Sequence, residues 1–229
     1  MRKIGIIAAM EPEIELLCNS LDGIEEINIL GTSFYQGFIN GNEVVLAQCG
    51  VGKVNAAMAA TVLLLEFGCN LLINTGIAGG IKPLKTKDVI IGSSLGYYDF
   101  DTTIFGYDYG QVPGMPKKFM ANPACIMLVN QILNKLNIEY KETTIYSGDQ
   151  FVSSFDQLKN ISALEGAACE MEGAAVAHVA VKAGADFIIL RYISDIVGEE
   201  SQVNDYLAFE SEMANRSANN CLQIMNNIE

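Results

Sequence analysis

The sequence predicts an α/β fold of three layers, with helices on both faces of a mixed, twisted central sheet. Three observations carry that prediction. Short apolar runs of strand length alternate with longer, alanine- and leucine-rich segments along the whole chain. A hairpin signal, Asn40-Gly41-Asn42, joins two early strands, so the sheet is mixed rather than purely parallel. Half of the 229 residues are hydrophobic, and no linker, low-complexity stretch or internal repeat divides them, so residues 1–229 read as one domain.

The elements follow in order. Lys3 to Ala9 is a continuous apolar run and reads as a buried strand. Met10-Glu11-Pro12-Glu13 opens a helix to about Asn19, with proline and acids in its first turn. Strands are expected over Ile27 to Leu30, Thr32 to Asn40 and Glu43 to Cys49, then a helix from about Val54 to Phe67 that Gly68 ends. Asn70 to Thr75 is a buried strand, and Gly76-Ile77-Ala78-Gly79-Gly80 is expected to be the loop after it. Asp88 to Leu95 is a strand, and Tyr97 to Lys118 is long, aromatic and irregular, as functional loops are. Asn122 caps a helix that runs from Pro123 to about Leu136. Thr143 to Ser147 and Ala167 to Cys169 are strands, and Met171 to Ala183 is a helix stopped by Gly184. Asp186 to Ser194 is the last strand, and a helix from about Asn204 to Met225 closes the chain.

Composition narrows the function. A formal net charge of −13 disfavours nucleic acid, anionic membranes and multiply phosphorylated substrates. Only three arginines exist, Arg2, Arg191 and Arg216, so a phosphate clamp has few candidates. A neutral or zwitterionic small molecule fits better. Six scattered cysteines form no CxxC or Cys/His cluster, which argues against structural zinc and for buried thiols. Met1-Arg2-Lys3 leads directly into a strand pattern and no run is long and apolar enough to span a membrane, so a cytoplasmic protein is expected.

Two glycine-rich stretches carry little alone. Gly50-Val51-Gly52-Lys53 lacks the P-loop's first glycine, which is Ala47, and its Ser/Thr, which is Val54. It reads as a tight strand-to-helix turn. Gly76 to Gly80 permits either close backbone approach to a ligand or a simple turn. The single histidine, His178, lies within an apolar helix and reads as buried or interfacial. Carboxylates are therefore the expected carriers of acid–base chemistry. Glu13, Glu172 and Asp195 each follow an apolar run, at the strand ends where α/β proteins place ligands. Such a trio suits cleavage of an N-glycosidic bond, which passes through an oxocarbenium-like transition state. One group protonates the leaving base, one positions water and one holds the ribose hydroxyls, without metal, cofactor or histidine.

The run Ile4-Gly5-Ile6-Ile7-Ala8-Ala9-Met10-Glu11-Pro12-Glu13 is joined by Gly50 to Ala57, Asn74 to Gly80, Phe105 to Gly114, Ser147 to Phe151, Glu170 to Ala175 and Ile193 to Asp195. In this order they resemble the nucleoside phosphorylase and nucleosidase superfamily, and within it the 5′-methylthioadenosine/S-adenosylhomocysteine nucleosidases. The resemblance spans nearly the whole chain. It implies a nucleoside phosphorylase-like fold, with Asp195 protonating adenine at N7 and Glu13 activating water at C1′. It implies that Glu172 binds the ribose hydroxyls with Met171 against the sugar, that Phe151 stacks on adenine, and that the Val152 backbone reads its edge. Met10, Val51, Phe105, Tyr107 and Pro113 would line the ribose and 5′-alkylthio region, part of it from a second copy in a homodimer. Ile77, Ala78, Gly79, Arg191 and Ser194 complete the candidate binding residues.

Two positions depart from that pattern. Ile77 stands where the family usually has serine near the water, leaving water positioning to Glu13 and Arg191. Val203 stands where a phenylalanine commonly covers adenine, with Tyr206 one turn later as a substitute. Competing expectations are a phosphate-dependent phosphorylase, a hydrolase of another purine nucleoside such as a futalosine, and a non-catalytic adenine-nucleoside sensor.

Overall fold

The structure, a computed structural model, describes residues 3–228. Met1 and Arg2, read above as leading into the first strand, lie outside the described residues. The elements run β1 (Lys3–Ala8), α1 (Glu11–Cys18), β2 (Asp22–Ile29), β3 (Thr32–Ile39), β4 (Asn42–Gln48), α2 (Lys53–Leu65), β5 (Leu71–Gly80) and β6 (Val89–Tyr97). Then come β7 (Phe119–Met120), α3 (Pro123–Lys135), β8 (Lys141–Ser147), β9 (Ala168–Glu170), α4 (Gly173–Ala183), β10 (Asp186–Ile196) and α5 (Gln202–Met225).

The expected hairpin joins β3 to β4, and Asn40 and Gly41 both take positive φ, 49° and 79°, as a tight hairpin turn requires. The strands form one mixed sheet in the order β10-β6-β8-β9-β5-β1-β4-β3-β2. β10 pairs with β5 as well as β6, so β5, β9, β8, β6 and β10 close a circuit. The sheet's twist is carried far enough for one half to curl onto itself.

Helices cover both faces. Gly5 of β1 packs against Leu63 of α2 and Leu72 of β5, while Thr75, three residues beyond Leu72, bonds to Ser217 of α5. That odd separation puts α2 and α5 on opposite sides of the sheet. The apolar runs of β1, β5 and β10 are buried between them.

One element differs from expectation in a way that matters. Gly76 to Gly80 is not a loop: β5 continues through it, paired along its length with β10 and at Gly79 and Gly80 with β9. Glycine runs read as turns in isolation, yet here two flanking strands and side chains crowding from above require the missing Cβ atoms. β2 also begins earlier, at Asp22, because its mostly exposed residues lack an apolar pattern. α4 begins later, at Gly173, because Met171 and Glu172 form the turn into it.

Candidate active site

β1, β5 and β10 are parallel neighbours, so their carboxyl ends meet at one edge of the sheet. A cleft lined mainly by apolar surface, with a few convergent polar groups, opens there, as small-molecule sites do. Met10, Glu13, Val51, Ile77, Ala78, Gly79, Phe151, Val152, Met171, Glu172, Ser194 and Asp195 line it, joined by Tyr206. Most candidate residues thus converge on one cleft from segments far apart in sequence.

Glu13 is buried at the third position of α1. Its Oε2 accepts the backbone N–H groups of Ala9 and Met10, at 2.9 and 3.0 Å, which would otherwise be unpaired at the helix start. Gly76 makes room for it: a Cβ there would lie 2.8 Å from Oε1. Burial pushes its pKa up against the pull of these amides and of Arg191.

Asp195 sits at an irregularity of β10. The register with β5 jumps between Ile193, opposite Ala78, and Asp195, opposite Gly79. A bulge of this kind re-aims a side chain, and here it turns the carboxyl into the cleft. Gly79 leaves space for it, since a Cβ would be 3.2 Å from Oδ2. Oδ1 lies 2.6 Å from Ser194 Oγ, and Oδ2 accepts from Gln202 Nε2 at 2.8 Å. Burial raises its pKa more than these two donors lower it.

Glu172 caps the start of α4, where its Oε1 accepts the Gly52 N–H at 2.9 Å. Burial and the neighbouring Glu170 push its pKa up to about 7, opposed by Arg191. The expected strand-to-helix turn at Gly50 to Lys53 therefore does more than turn: its amide holds a cleft carboxylate.

Glu170 received no role from the sequence, although it stands in the same motif. It is buried and accepts from Ser147 Oγ, from the N–H groups of Glu172 and Gly173, and from the Arg191 guanidinium. Arg191 also donates to Asn74 Oδ1 and to the Leu190 carbonyl. It does not line the cleft but lies beneath it, 3.9 Å from Glu172. Glu170 thus joins this buried ion pair to the Glu172 and Gly173 amides of the turn that follows it.

Phe151 and Tyr206 meet edge to face, ring centroids 5.3 Å apart, at the cleft wall. Tyr206 thus reaches the cleft, whereas Val203, more than half exposed, does not line it. Phe105, Tyr107 and Pro113 stay on the surface and do not line the single-chain cleft. His178 stacks on Phe119 and meets the Tyr97 hydroxyl, away from the three acids. Sequence reasoning missed Gln202, a buried polar residue at the first position of α5. Its only signal was a long polar side chain ahead of an amphipathic helix.

The comparisons with known proteins agree with this fold. The family model described as the phosphorylase superfamily matches residues 3–226. A 5′-methylthioadenosine/S-adenosylhomocysteine nucleosidase of Desulfotalea psychrophila is 38% identical over 226 residues, 97% of this chain and 95% of its own. Streptococcus pyogenes S-adenosylhomocysteine nucleosidase, solved with 5-methylthiotubericidin, superposes with a TM-score of 0.93 at 35% identity, covering 100% of this chain and 98% of that one. The futalosine hydrolase of Helicobacter pylori superposes with a TM-score of 0.92 at 32% identity, covering 99% and 98%.

Proposed function

The chain belongs to the phosphorylase superfamily and, within it, to the 5′-methylthioadenosine/S-adenosylhomocysteine nucleosidases, and we propose that it hydrolyses the N-glycosidic bond of those two nucleosides. Adenine and the 5-thioribose product are released. The observation that carries this reading is Asp195, a buried acid aimed by a strand bulge into a cleft that also holds Glu13 and Glu172.

The division of labour is the one the family resemblance implies, and the surroundings of Asp195 and Glu172 support it. Burial favours the protonated form of Asp195, so it can donate a proton to N7 of the purine as the C1′–N9 bond breaks. The bonding electrons leave with the base, and the sugar takes on oxocarbenium character. Glu13 keeps Oε1 beside Gly76, where it orients a water toward C1′ and takes its proton. Glu172, fixed by the Gly52 amide, accepts hydrogen bonds from the ribose hydroxyls. Phe151 and Tyr206 supply aromatic surface for the base, and Val152 offers its backbone edge.

Water is favoured over phosphate as the nucleophile. Among the described residues that line the cleft there is no lysine, arginine or histidine. Arg191 is committed to Glu170 and Asn74, and Arg216 pairs with Glu212 outside the cleft. A dianion there would meet acids without a balancing charge.

The working unit is a homodimer in the cytoplasm. Val51, Val54, Ile104, Phe105 and Tyr107 are all exposed, Val51 at the cleft itself. Covering them with a second copy would extend the cleft by the partner's aromatic side chains. The buried thiols of Cys49, Cys69, Cys169 and Cys221 suit a reducing compartment.

The test is release of free base from methylthioadenosine, S-adenosylhomocysteine, adenosine, inosine and a futalosine, with and without phosphate. Phosphate-independent release of adenine from the first two is expected. Strict phosphate dependence, or no turnover of either, overturns the reading. The likeness to futalosine hydrolase supports a second reading, in which the futalosine is the better substrate. The same panel ranks the two by kcat/KM.

A further inference from the structure

Gln202 is 3% exposed, and both ends of its amide are engaged. Its Oε1 accepts the Gly198 N–H at 2.9 Å. Its Nε2 donates to the Val152 carbonyl at 2.7 Å and to Asp195 Oδ2 at 2.8 Å. An N–H can only donate and a carbonyl can only accept, so the two backbone partners fix which end of the amide is which. The group facing Oδ2 is therefore an obligate donor.

The other carboxyl oxygen has a different neighbour. Ser194 Oγ is 2.6 Å from Oδ1 and 3.3 Å from the Ala78 carbonyl. A hydroxyl can donate to Oδ1, or accept from it and donate onward to Ala78. Gln202 cannot switch in this way. The two oxygens of Asp195 are thus inequivalent: Oδ2 faces a fixed donor, and Oδ1 faces a reversible one.

We propose that Gln202 is a positioning residue for the hydrolysis, holding Asp195 through Oδ2, confining the acid's proton to Oδ1, and tying that acid to the Val152 backbone on the wall that receives the base. The proposal rests on the reading of Asp195 as the proton donor. In the resting site Oδ1–H donates to Ser194 Oγ, which donates to Ala78. When the purine enters, Oδ1–H turns to N7 and delivers its proton as the C1′–N9 bond breaks. Ser194 then donates to Oδ1, and the carboxylate is left with one hydrogen bond on each oxygen. Gln202 also couples the ends of the base wall, since Val152 and Asp195 come from segments 43 residues apart in sequence (195 − 152).

Gln202→Met keeps the length and removes both amide functions, and Gln202→Glu replaces the donor with an acceptor. Each is expected to lower kcat about 10- to 100-fold, the range of one hydrogen bond to a charged group. The decline of kcat at high pH, where Asp195 loses its proton, is expected to move to higher pH in both. The donor that favoured the carboxylate is gone, and the glutamate variant would add a like charge. The other titratable groups facing Asp195 are Asp205 and Tyr206 of α5 and Cys169 of β9, all retained in both variants.

A double-mutant cycle separates positioning from mere packing. In an Asp195→Asn background, Gln202→Met is expected to have no further effect on kcat. Multiplicative losses, or an unmoved high-pH limb, overturn the proposal. Near wild-type turnover in Asp195→Asn alone instead overturns the underlying reading of the acid, so the two failures are distinct. Thermal midpoints report folding, and if Gln202→Met fails to fold, the high-pH limb of Gln202→Glu decides alone.

Discussion

A Cβ on Gly76 would stand 2.8 Å from Oε1 of Glu13, too close for the carboxylate to remain where it is. Gly76 does not occupy the left-handed region, so its own backbone tolerates a side chain; the neighbour does not. Gly76→Ala should therefore displace the proposed water-activating group and, by loosening its hold on the Ala9 and Met10 amides, lower the thermal midpoint without preventing folding. A displacement near 1 Å costs about 10²-fold in rate when geometry is critical. Steady-state kinetics beside a thermal melt checks this, and wild-type kcat would show that Glu13 acts from another position.

Asp195→Asn removes the proposed proton donor while keeping the shape. We expect kcat to fall about 10²–10⁴-fold, the usual contribution of a general acid. The fold should not suffer, because a buried acid with a raised pKa is replaced by a neutral group. In the parent enzyme kcat should decline as pH rises through the raised pKa of Asp195. A flat alkaline profile would point to a donor other than Asp195.

Glu13, Glu172 and Asp195 stand within a few residues of the end of an apolar run, which is a local pattern; Glu170 fits it as well, so the choice among the acids comes from the resemblance. The strand–helix alternation and the hairpin are legible because they too are local patterns. Gly76 to Gly80 reads as a loop because the demand for glycine comes from Glu13 and Asp195, which lie far away in sequence. The role of Glu170 stays silent because it is to satisfy Arg191 and two amides, and an ion pair 21 residues apart leaves no periodic trace. Gln202 escapes because its partners, Val152 and Asp195, meet only once the sheet has curled. Phe105, Tyr107 and Pro113 are placed by resemblance alone, and in one chain they remain outside the cleft.

The pKa of Glu172 is pushed up by burial and by Glu170, from 4.5 to about 7. Between those values the folded chain binds more protons than the unfolded one, so stability falls as pH rises. The contribution is complete below the unfolded value and is lost as pH climbs through about 7. Glu13 and Asp195, also raised by burial, act in the same direction. The ligand-free protein should therefore melt at a lower temperature at about pH 8 than at about pH 5. Glu172→Gln should flatten that slope and raise the midpoint at the alkaline end, while weakening substrate binding through the lost ribose acceptor. An unchanged slope in the variant would remove Glu172 from the account.

Ile77 stands where the resemblance implies a serine, and the structure gives that isoleucine a physical context. Its side chain packs against the buried cluster of Val89, Tyr192 and Met213, while its backbone N–H faces the Glu13 carboxylate. The apolar cluster is what isoleucine provides; a hydroxyl toward the water is what it forgoes. Ile77→Ser should reverse both. Removing the branched side chain from a partly buried cluster should cost about 1–3 kcal/mol, visible as a fall of several degrees in thermal midpoint. One added hydrogen bond to the attacking water is worth about 1 kcal/mol, so kcat should rise about fivefold. A lower midpoint with no gain in kcat would mean that Glu13 and the backbone already hold the water fully, and that Ile77 is a stabilising replacement without kinetic cost.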